Sequence, residues 1–301
     1  MYINFPFIRK VLKKKLVKSG WMAPTHTEDD IAVAQYMLRL TVFSAAIFVF
    51  TALAFRFLLN LLTSVLLNAN AFNFRYRLFD ITFATIDASK WSLLQVLLVF
   101  GLGYLVFTLS GIFLLNRFNA MHNVKWKTRL ILTWIALLLT NALPAAMVAG
   151  CFSGNSFGVI SHWLAENLVI RLLIAGGALL MMVLSRNYWV FLFLKAAPSS
   201  YFLTEDEPMA MYVMHIFAKS WLYGFLILLI FNWPLLDIYW PIFLLCFGFI
   251  AMPIRSHTAA YEDISIRKSN REVLSSPKTL YYIFGILLVI RFAGTLFSIQ
   301  F

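Results

Sequence analysis

Five ionisable side chains lie inside long apolar runs of the sequence, where a charge is costly. They are Arg56, Arg171, His215, Lys219 and Arg291. A charged group in such surroundings has to meet a carboxylate, backbone carbonyls, water or a lipid phosphate. These residues are therefore the candidate functional positions. Arg171 and Lys219 lie nearer the ends of their runs, so we expect a structural role for both, in which the long side chain reaches the polar boundary.

Carboxylates are missing from the interior of the same runs. The nearest ones lie at or beyond the run ends: Glu166, Glu205, Glu207 and Asp237. A proton-coupled transporter commonly carries its proton on a carboxylate inside the membrane, so the sequence disfavours that mechanism. A channel, a facilitator or a lipid-handling protein is still compatible with the pattern, because Arg56 or Arg291 could hold a phosphate.

Known metal-binding and phosphate-binding patterns do not occur in the chain. There is no His-Glu-x-x-His and no phosphate-binding loop. Cys151 and Cys246 have no second Cys or His at ligand spacing, and the five histidines lie in separate segments. We therefore expect no bound metal, no cofactor and no catalytic activity.

The composition indicates that the bilayer is the solvent of this protein. Of the 301 residues, 61% are hydrophobic and only 13% are charged. A soluble domain of this length could not hide so much apolar surface. The net charge of +12 comes from Lys and Arg that lie mainly between the apolar runs. That distribution is typical of cytoplasmic membrane loops and makes a nucleic-acid partner improbable.

The apolar runs predict an all-α bundle of six to seven transmembrane spans. We place them at about 38–67, 91–115, 130–150, 168–184, 209–231, 239–254 and 279–300. The sixth run is short, so the fifth and sixth form either a helical hairpin or a re-entrant pair. No linker or repeat divides the chain, and we expect a basic N-terminal segment, 1–37, followed by one membrane domain, 38–301.

The positions of Lys and Arg predict the orientation. Alternate connecting segments carry seventeen basic residues on one side of the membrane and three on the other. The richer side is expected to be cytoplasmic, which places the N-terminus inside and the C-terminus outside a cell membrane, the inner membrane if the source is bacterial. Ile8, Val11, Leu12 and Leu16 share one helical face among lysines. This segment could bind anionic lipid, or its lysines could serve only to fix the topology.

Two neighbouring spans carry a pattern of small residues. Asn141, Pro144 and Gly150 close the third span, and Gly111 and Arg117 lie near the end of the second. Their spacing resembles the Asn-x-x-Pro-x-x-Pro-Leu-Asp-Gly and His-Glu-x-Gly-His segments of site-2-type intramembrane metalloproteases. The resemblance implies a degenerate relative, because the zinc ligands and general base of that family are replaced here by Thr108, Leu109, Ile112 and Ala149. Such relatives usually bind or escort membrane proteins.

The sequence thus leaves two classes of function. The first is a non-catalytic membrane protein that binds a lipid or another membrane protein. The alternative is a solute or lipid transporter or channel that uses the intramembrane arginines. Transport predicts that Arg56 or Arg291 faces a water-filled cavity, whereas a binding protein predicts that both are packed or paired.

Overall fold

A computed structural model provides the fold. It describes residues 30–70, 74–77, 80–83, 91–118, 124–203, 206–232 and 238–251, together with 282, 285–286, 289 and 298–300 near the C-terminus. These residues are mainly helical, as predicted. Arg291, the basic segment up to residue 29 and most of the predicted seventh span lie outside the described residues.

The helices follow the predicted runs with some changes of boundary. The first five are α1 (Asp30–Ala69), α2 (Leu93–Phe118), α3 (Trp126–Thr140), α4 (Ala142–Phe152) and α5 (Phe157–Leu164). They are followed by α6 (Leu168–Leu184), α7 (Arg186–Lys195), α8 (Asp206–Val213), a π-helix (Met214–Lys219), α9 (Ser220–Asn232) and α10 (Tyr239–Ala251). A 3-10 turn, Ser200–Leu203, connects α7 to α8.

Local side-chain contacts explain where several helices begin and end. Ser92 and Gln95 form a capping box before α2: the Ser92 amide donates to Gln95 Oε1 at 2.9 Å, and the Gln95 amide donates to Ser92 Oγ at 3.3 Å. Asn167 caps α6 by accepting a hydrogen bond from the Val169 amide at 2.8 Å. Pro144 lies in the first turn of α4 and cannot donate to the last turn of α3, so the two helices are separated at Asn141.

Among the described residues, four helical stretches are long and apolar enough to cross a membrane, or five if the bent pair α3 and α4 forms one span. The four are Val33–Ala69, Leu93–Arg117, Leu168–Lys195 and Glu207–Ile230. Within the described residues, helix α10 spans 13 residues, which is shorter than a full crossing. Aliphatic side chains such as Leu173 and Ile230 are more than 70% exposed on the outside of the bundle, as expected for a surface in contact with lipid tails.

Aromatic rings fill the core where α1, α3, α7 and the π-helix meet. The Trp134 ring is fully buried, with its centroid 4.9 Å from those of Phe48 and Phe193 and 5.7 Å from that of Phe217. Its indole N–H donates to Ser44 Oγ at 2.9 Å, so the one polar atom of the ring is satisfied. This cluster fixes α1 against the π-helix and so positions the polar groups between them.

Two features were not predicted. The segment 151–167, which connects the predicted third and fourth spans, contains α5, which packs on α4 at Gly150, where a Cβ would lie 2.8 Å from Ser161 Oγ. Three short strands form an antiparallel sheet in the order β2 (Asp80–Phe83), β1 (Phe74–Arg77) and β3 (Ser298–Gln300). The last residues assigned to the seventh span are therefore extended, since their backbone pairs with β1.

Candidate functional site

The structure brings two of the sequence candidates together with a hydroxyl from α1. His215 and Lys219 lie in the π-helix, and Thr41 lies opposite them on α1. Thr41 Oγ1 is 2.9 Å from His215 Nδ1, and Lys219 Nζ is 2.9 Å from His215 Nε2. We call these three residues the Thr41 cluster.

The hydrogen bonds of the Thr41 cluster assign its protons. Thr41 Oγ1 donates its only hydrogen to the carbonyl of Met37 at 2.8 Å. His215 Nδ1 must therefore carry the hydrogen of the contact with Thr41, which leaves Nε2 as the acceptor for the Lys219 ammonium. The arrangement requires a neutral imidazole, because a second ring proton would point at the Lys219 amino group. The amino group of Lys219 is thus oriented by its contact with His215.

Serine side chains support the π-helix that presents His215 and Lys219. Ser44 Oγ donates to the Ile216 carbonyl at 2.7 Å. Ser220 Oγ lies 2.8 Å from the His215 carbonyl and 3.1 Å from the Thr41 carbonyl. These hydrogen bonds satisfy backbone carbonyls at the place where the chain changes from α-helical to π-helical hydrogen bonding. Short π-helical segments of this kind are frequent at functional sites.

An exposed stripe of α9 follows Lys219 along the chain. Tyr223, Leu226 and Ile230 follow Lys219 at steps of four, three and four residues, which places all of them on one helical face. All three are exposed at the surface of the bundle. From Lys219 to Ile230 the stripe is about 16 Å long at 1.5 Å per residue. The cation therefore lies at the head of an apolar track about as long as one leaflet is deep.

Two further arginines lie on α3 and α7. Arg129, on α3, donates from Nη1 to the carbonyl of Lys195 on α7 at 3.2 Å. Arg186, which begins α7, is only 6% exposed, and its Nη2 has no hydrogen-bond partner within the described part of the chain. In the sequence Arg186 is one of the charges between two apolar runs, and no local pattern predicts its burial, which depends on helices that pack from elsewhere in the chain.

The other candidate residues lie apart from the Thr41 cluster. Arg56 is buried, with Cζ 4.7 Å from the centre of the Trp240 ring, and it follows Thr41 by fifteen residues, about 22 Å along α1. Arg171 contacts His162 on α5, with Nη1 2.9 Å from Nδ1 and 2.6 Å from Nε2 of the ring. Burial lowers the pKa of His162, and the nearby charge of Arg171 lowers it further.

The two segments that carry the protease-like pattern contact each other. Gly111 packs against Thr140, where a Cβ would lie 2.6 Å from Thr140 Oγ1, and Thr108 Oγ1 accepts from the Leu143 amide at 3.0 Å. This pairing makes α2 antiparallel to α3 and α4. Ile112 and Ala149 then lie in opposite directions from the contact, about 15 Å apart at 1.5 Å per residue, and one metal could not join them. The resemblance itself stays a prediction.

In the described residues, no three His, Cys, Asp or Glu side chains come together as possible metal ligands. No protein-family model, curated protein or solved structure matches the chain. A function has to be inferred from the geometry of the Thr41 cluster and its surroundings.

Proposed function

We propose that this protein is a multi-pass, non-catalytic membrane protein that binds an anionic phospholipid at the Thr41 cluster. The observation that carries the proposal is the position of Lys219, charged and oriented by His215, at the head of the exposed stripe of α9. The phosphate would contact Lys219, and one acyl chain would lie along Tyr223, Leu226 and Ile230.

The chemistry of the site favours an anionic ligand. Three N–H groups belong to the Lys219 ammonium, and the contact with His215 uses one of them. No Asp or Glu occurs between residues 31 and 69, 126 and 152, or 208 and 232, which include the helices around the cluster. An anion that enters with its own apolar tail would stabilise a lysine whose surrounding described helices carry no carboxylate in these ranges.

The orientation of the chain supports a ligand in the cytoplasmic leaflet. The helix ends around the Thr41 cluster connect to the segments that are rich in Lys and Arg. We propose seven spans, with the N-terminus in the cytoplasm and the C-terminus outside. The pairing of β3 with β1 supports an odd number of spans. It keeps the C-terminus beside the segment that follows α1, on the side of the membrane opposite to the N-terminus. The basic segment 1–37 would add a second contact with anionic lipid.

Transport is the alternative function, and the environment of Arg56 speaks against it at that position. Its guanidinium stacks on Trp240 in the packed interior, as a binding protein predicts. Arg291, the other arginine that transport could use, lies outside the described residues, so its surroundings support neither function. A membrane-protein partner, which the protease resemblance implies, would be compatible with a bound lipid at the Thr41 cluster.

Native mass spectrometry of the purified protein tests the proposal. With phosphatidylglycerol and phosphatidylcholine offered in equal amounts, the wild type should retain the anionic lipid, and Lys219→Gln should reduce its binding about fivefold, since one lysine near the bilayer surface contributes about 1 kcal/mol. Lys125→Gln is the matched control, because Lys125 is exposed at the start of α3.

Free phosphate in a parallel sample separates a lipid from a soluble anion. Competition by inorganic phosphate at millimolar concentration would assign the site to a soluble anion. Equal retention of phosphatidylglycerol by wild type and Lys219→Gln would reject the Thr41 cluster as the lipid site.

A further inference from the structure

The two ring nitrogens of His215 have different partners. Thr41 Oγ1 gives its hydrogen to the Met37 carbonyl, so His215 Nδ1 carries the hydrogen of the 2.9 Å contact with Thr41. The other nitrogen, Nε2, lies 2.9 Å from Lys219 Nζ and accepts from it. A further proton can therefore be taken up at Nε2, which is the nitrogen that faces Lys219.

A proton on His215 Nε2 would break the contact between the ring and Lys219. Nε2 would become a donor, as the N–H groups of the Lys219 ammonium already are, and two positively charged donors 2.9 Å apart repel each other. Lys219 is half-buried and its charge lies at the end of four rotatable bonds, so Nζ can turn away while the ring stays held by Thr41. The protonated site would then present two separate cationic N–H donors.

Acidic side chains do not contact this pair within the described part of the chain. The π-helix packs against α1, α7, α8, α9 and α10. The charged side chains on these helices are Asp30, Arg39, Arg56, Arg186, Lys195, Asp206 and Glu207. Glu207, the acid nearest to His215 along the continuous helix, precedes it by eight residues, about 12 Å at 1.5 Å per residue. The tyrosines and Cys246 on the same helices stay neutral below about pH 8. An anion beside Nε2 would therefore provide the opposite charge that the described helices do not place there.

A phosphate group has the chemistry that the protonated pair needs. Its oxygens accept hydrogen bonds and carry negative charge, so one oxygen would accept from His215 Nε2 and another from Lys219 Nζ. The two residues are four positions apart, which keeps both donors on one side of the helix. The exposed stripe of α9 starts from the same side and would hold the apolar tail of a phospholipid.

We propose that lipid binding at the Thr41 cluster is coupled to protonation of His215: the lipid phosphate binds between His215 Nε2 and Lys219 Nζ, together with one proton on Nε2. This inference rests on the proposed function, because it takes the phosphate of the anionic phospholipid as the anion. Acidification should strengthen binding, since it adds a second positive charge to the site. The coupling is reciprocal, so bound lipid should also favour the protonated ring.

Titration of the full chain in a neutral detergent with a fluorescent phosphatidylglycerol, at about pH 8 and about pH 5.5, tests the coupling across the usual range of histidine protonation. The wild type should bind about fivefold more tightly at the lower pH, the contribution of one further positive charge near the bilayer surface. Wild type that binds phosphatidylglycerol through Lys219 with equal affinity at both pH values would overturn the coupling and leave the lipid site in place. Absence of binding at both pH values would overturn the proposed function as well.

One variant and a matched control assign the effect to His215. His215→Gln keeps a neutral polar side chain that takes up no proton, so it should bind with the same affinity at both pH values. His162→Gln, which changes a histidine on α5, should keep the fivefold difference of the wild type. A fivefold difference that persists in His215→Gln would overturn the proposal.

Nuclear magnetic resonance of the wild type with ¹³C-labelled histidine gives a second readout that does not depend on the folding of His215→Gln. One imidazole should take up its proton at a higher pH when phosphatidylglycerol is bound than when phosphatidylcholine replaces it. Identical titration curves for all histidines with both lipids would contradict the coupling.

Discussion

Replacing Gly111 by alanine should destabilise the protein, because α2 approaches α3 there without room for a side chain. A Cβ at Gly111 would overlap the Thr140 amide nitrogen and lie 2.8 Å from the Leu139 carbonyl carbon. Ordinary carbon contacts are about 3.5 to 4.0 Å, so backbone atoms would have to move by about 1 Å. Overpacking of this kind costs about 1 to 3 kcal/mol, partly offset by the better helix propensity of alanine, about 1 kcal/mol.

Gly176→Ala provides the matched control. Gly176 lies in α6, and a Cβ there would meet nothing within 4 Å, so only the propensity term applies. The two variants should therefore differ by about 2 kcal/mol, which is about a 30-fold difference in the unfolding equilibrium constant. Unfolding by sodium dodecyl sulfate in mixed micelles measures that difference. Equal midpoints for both variants would refute the contact between α2 and α3.

Three further predictions follow from named contacts. Burial and then the Arg171 charge lower the pKa of His162 below its ordinary 6.5, so the Tm of the wild type should fall as the pH drops through 6.5 toward that lowered value. His162→Gln should reduce this fall in Tm. A difference in Tm between the two proteins that does not change with pH would contradict the prediction. Trp134→Phe removes a buried hydrogen bond worth about 1 kcal/mol and should lower Tm by about 2 to 4 °C; an unchanged Tm would contradict the bond. Arg56→Met in reconstituted vesicles should leave solute flux at the wild-type value, because the side chain packs on Trp240; loss of a flux present in the wild type would support transport.

The helices were predictable wherever an apolar run was long, since hydrophobicity over about 20 residues is a local property of the sequence. α5 was missed because its eight residues are too few to stand out from a loop. The break at Asn141 has a local cause in Pro144, but its direction depends on Thr108 from another helix. Local patterns therefore predicted the elements, while their bends depended on tertiary contacts.

The candidate site was predictable only in part. His215 and Lys219 are four residues apart, so their proximity follows from helical geometry. The contact of His215 with Thr41 joins residues 174 positions apart, and no local pattern predicts it. For Arg56 the structure shows a stacking contact with Trp240, a kind of contact that has no spacing signature in the sequence.

The most direct test of lipid binding is photo-crosslinking with a phosphatidylglycerol that carries a diazirine on one acyl chain. After irradiation in vesicles and digestion, the label should concentrate on the peptide that contains Tyr223, Leu226 and Ile230, and Lys219→Gln should remove that concentration. Label spread evenly over the exposed faces of α6 and α9, and unchanged by Lys219→Gln, would contradict a lipid site at the Thr41 cluster.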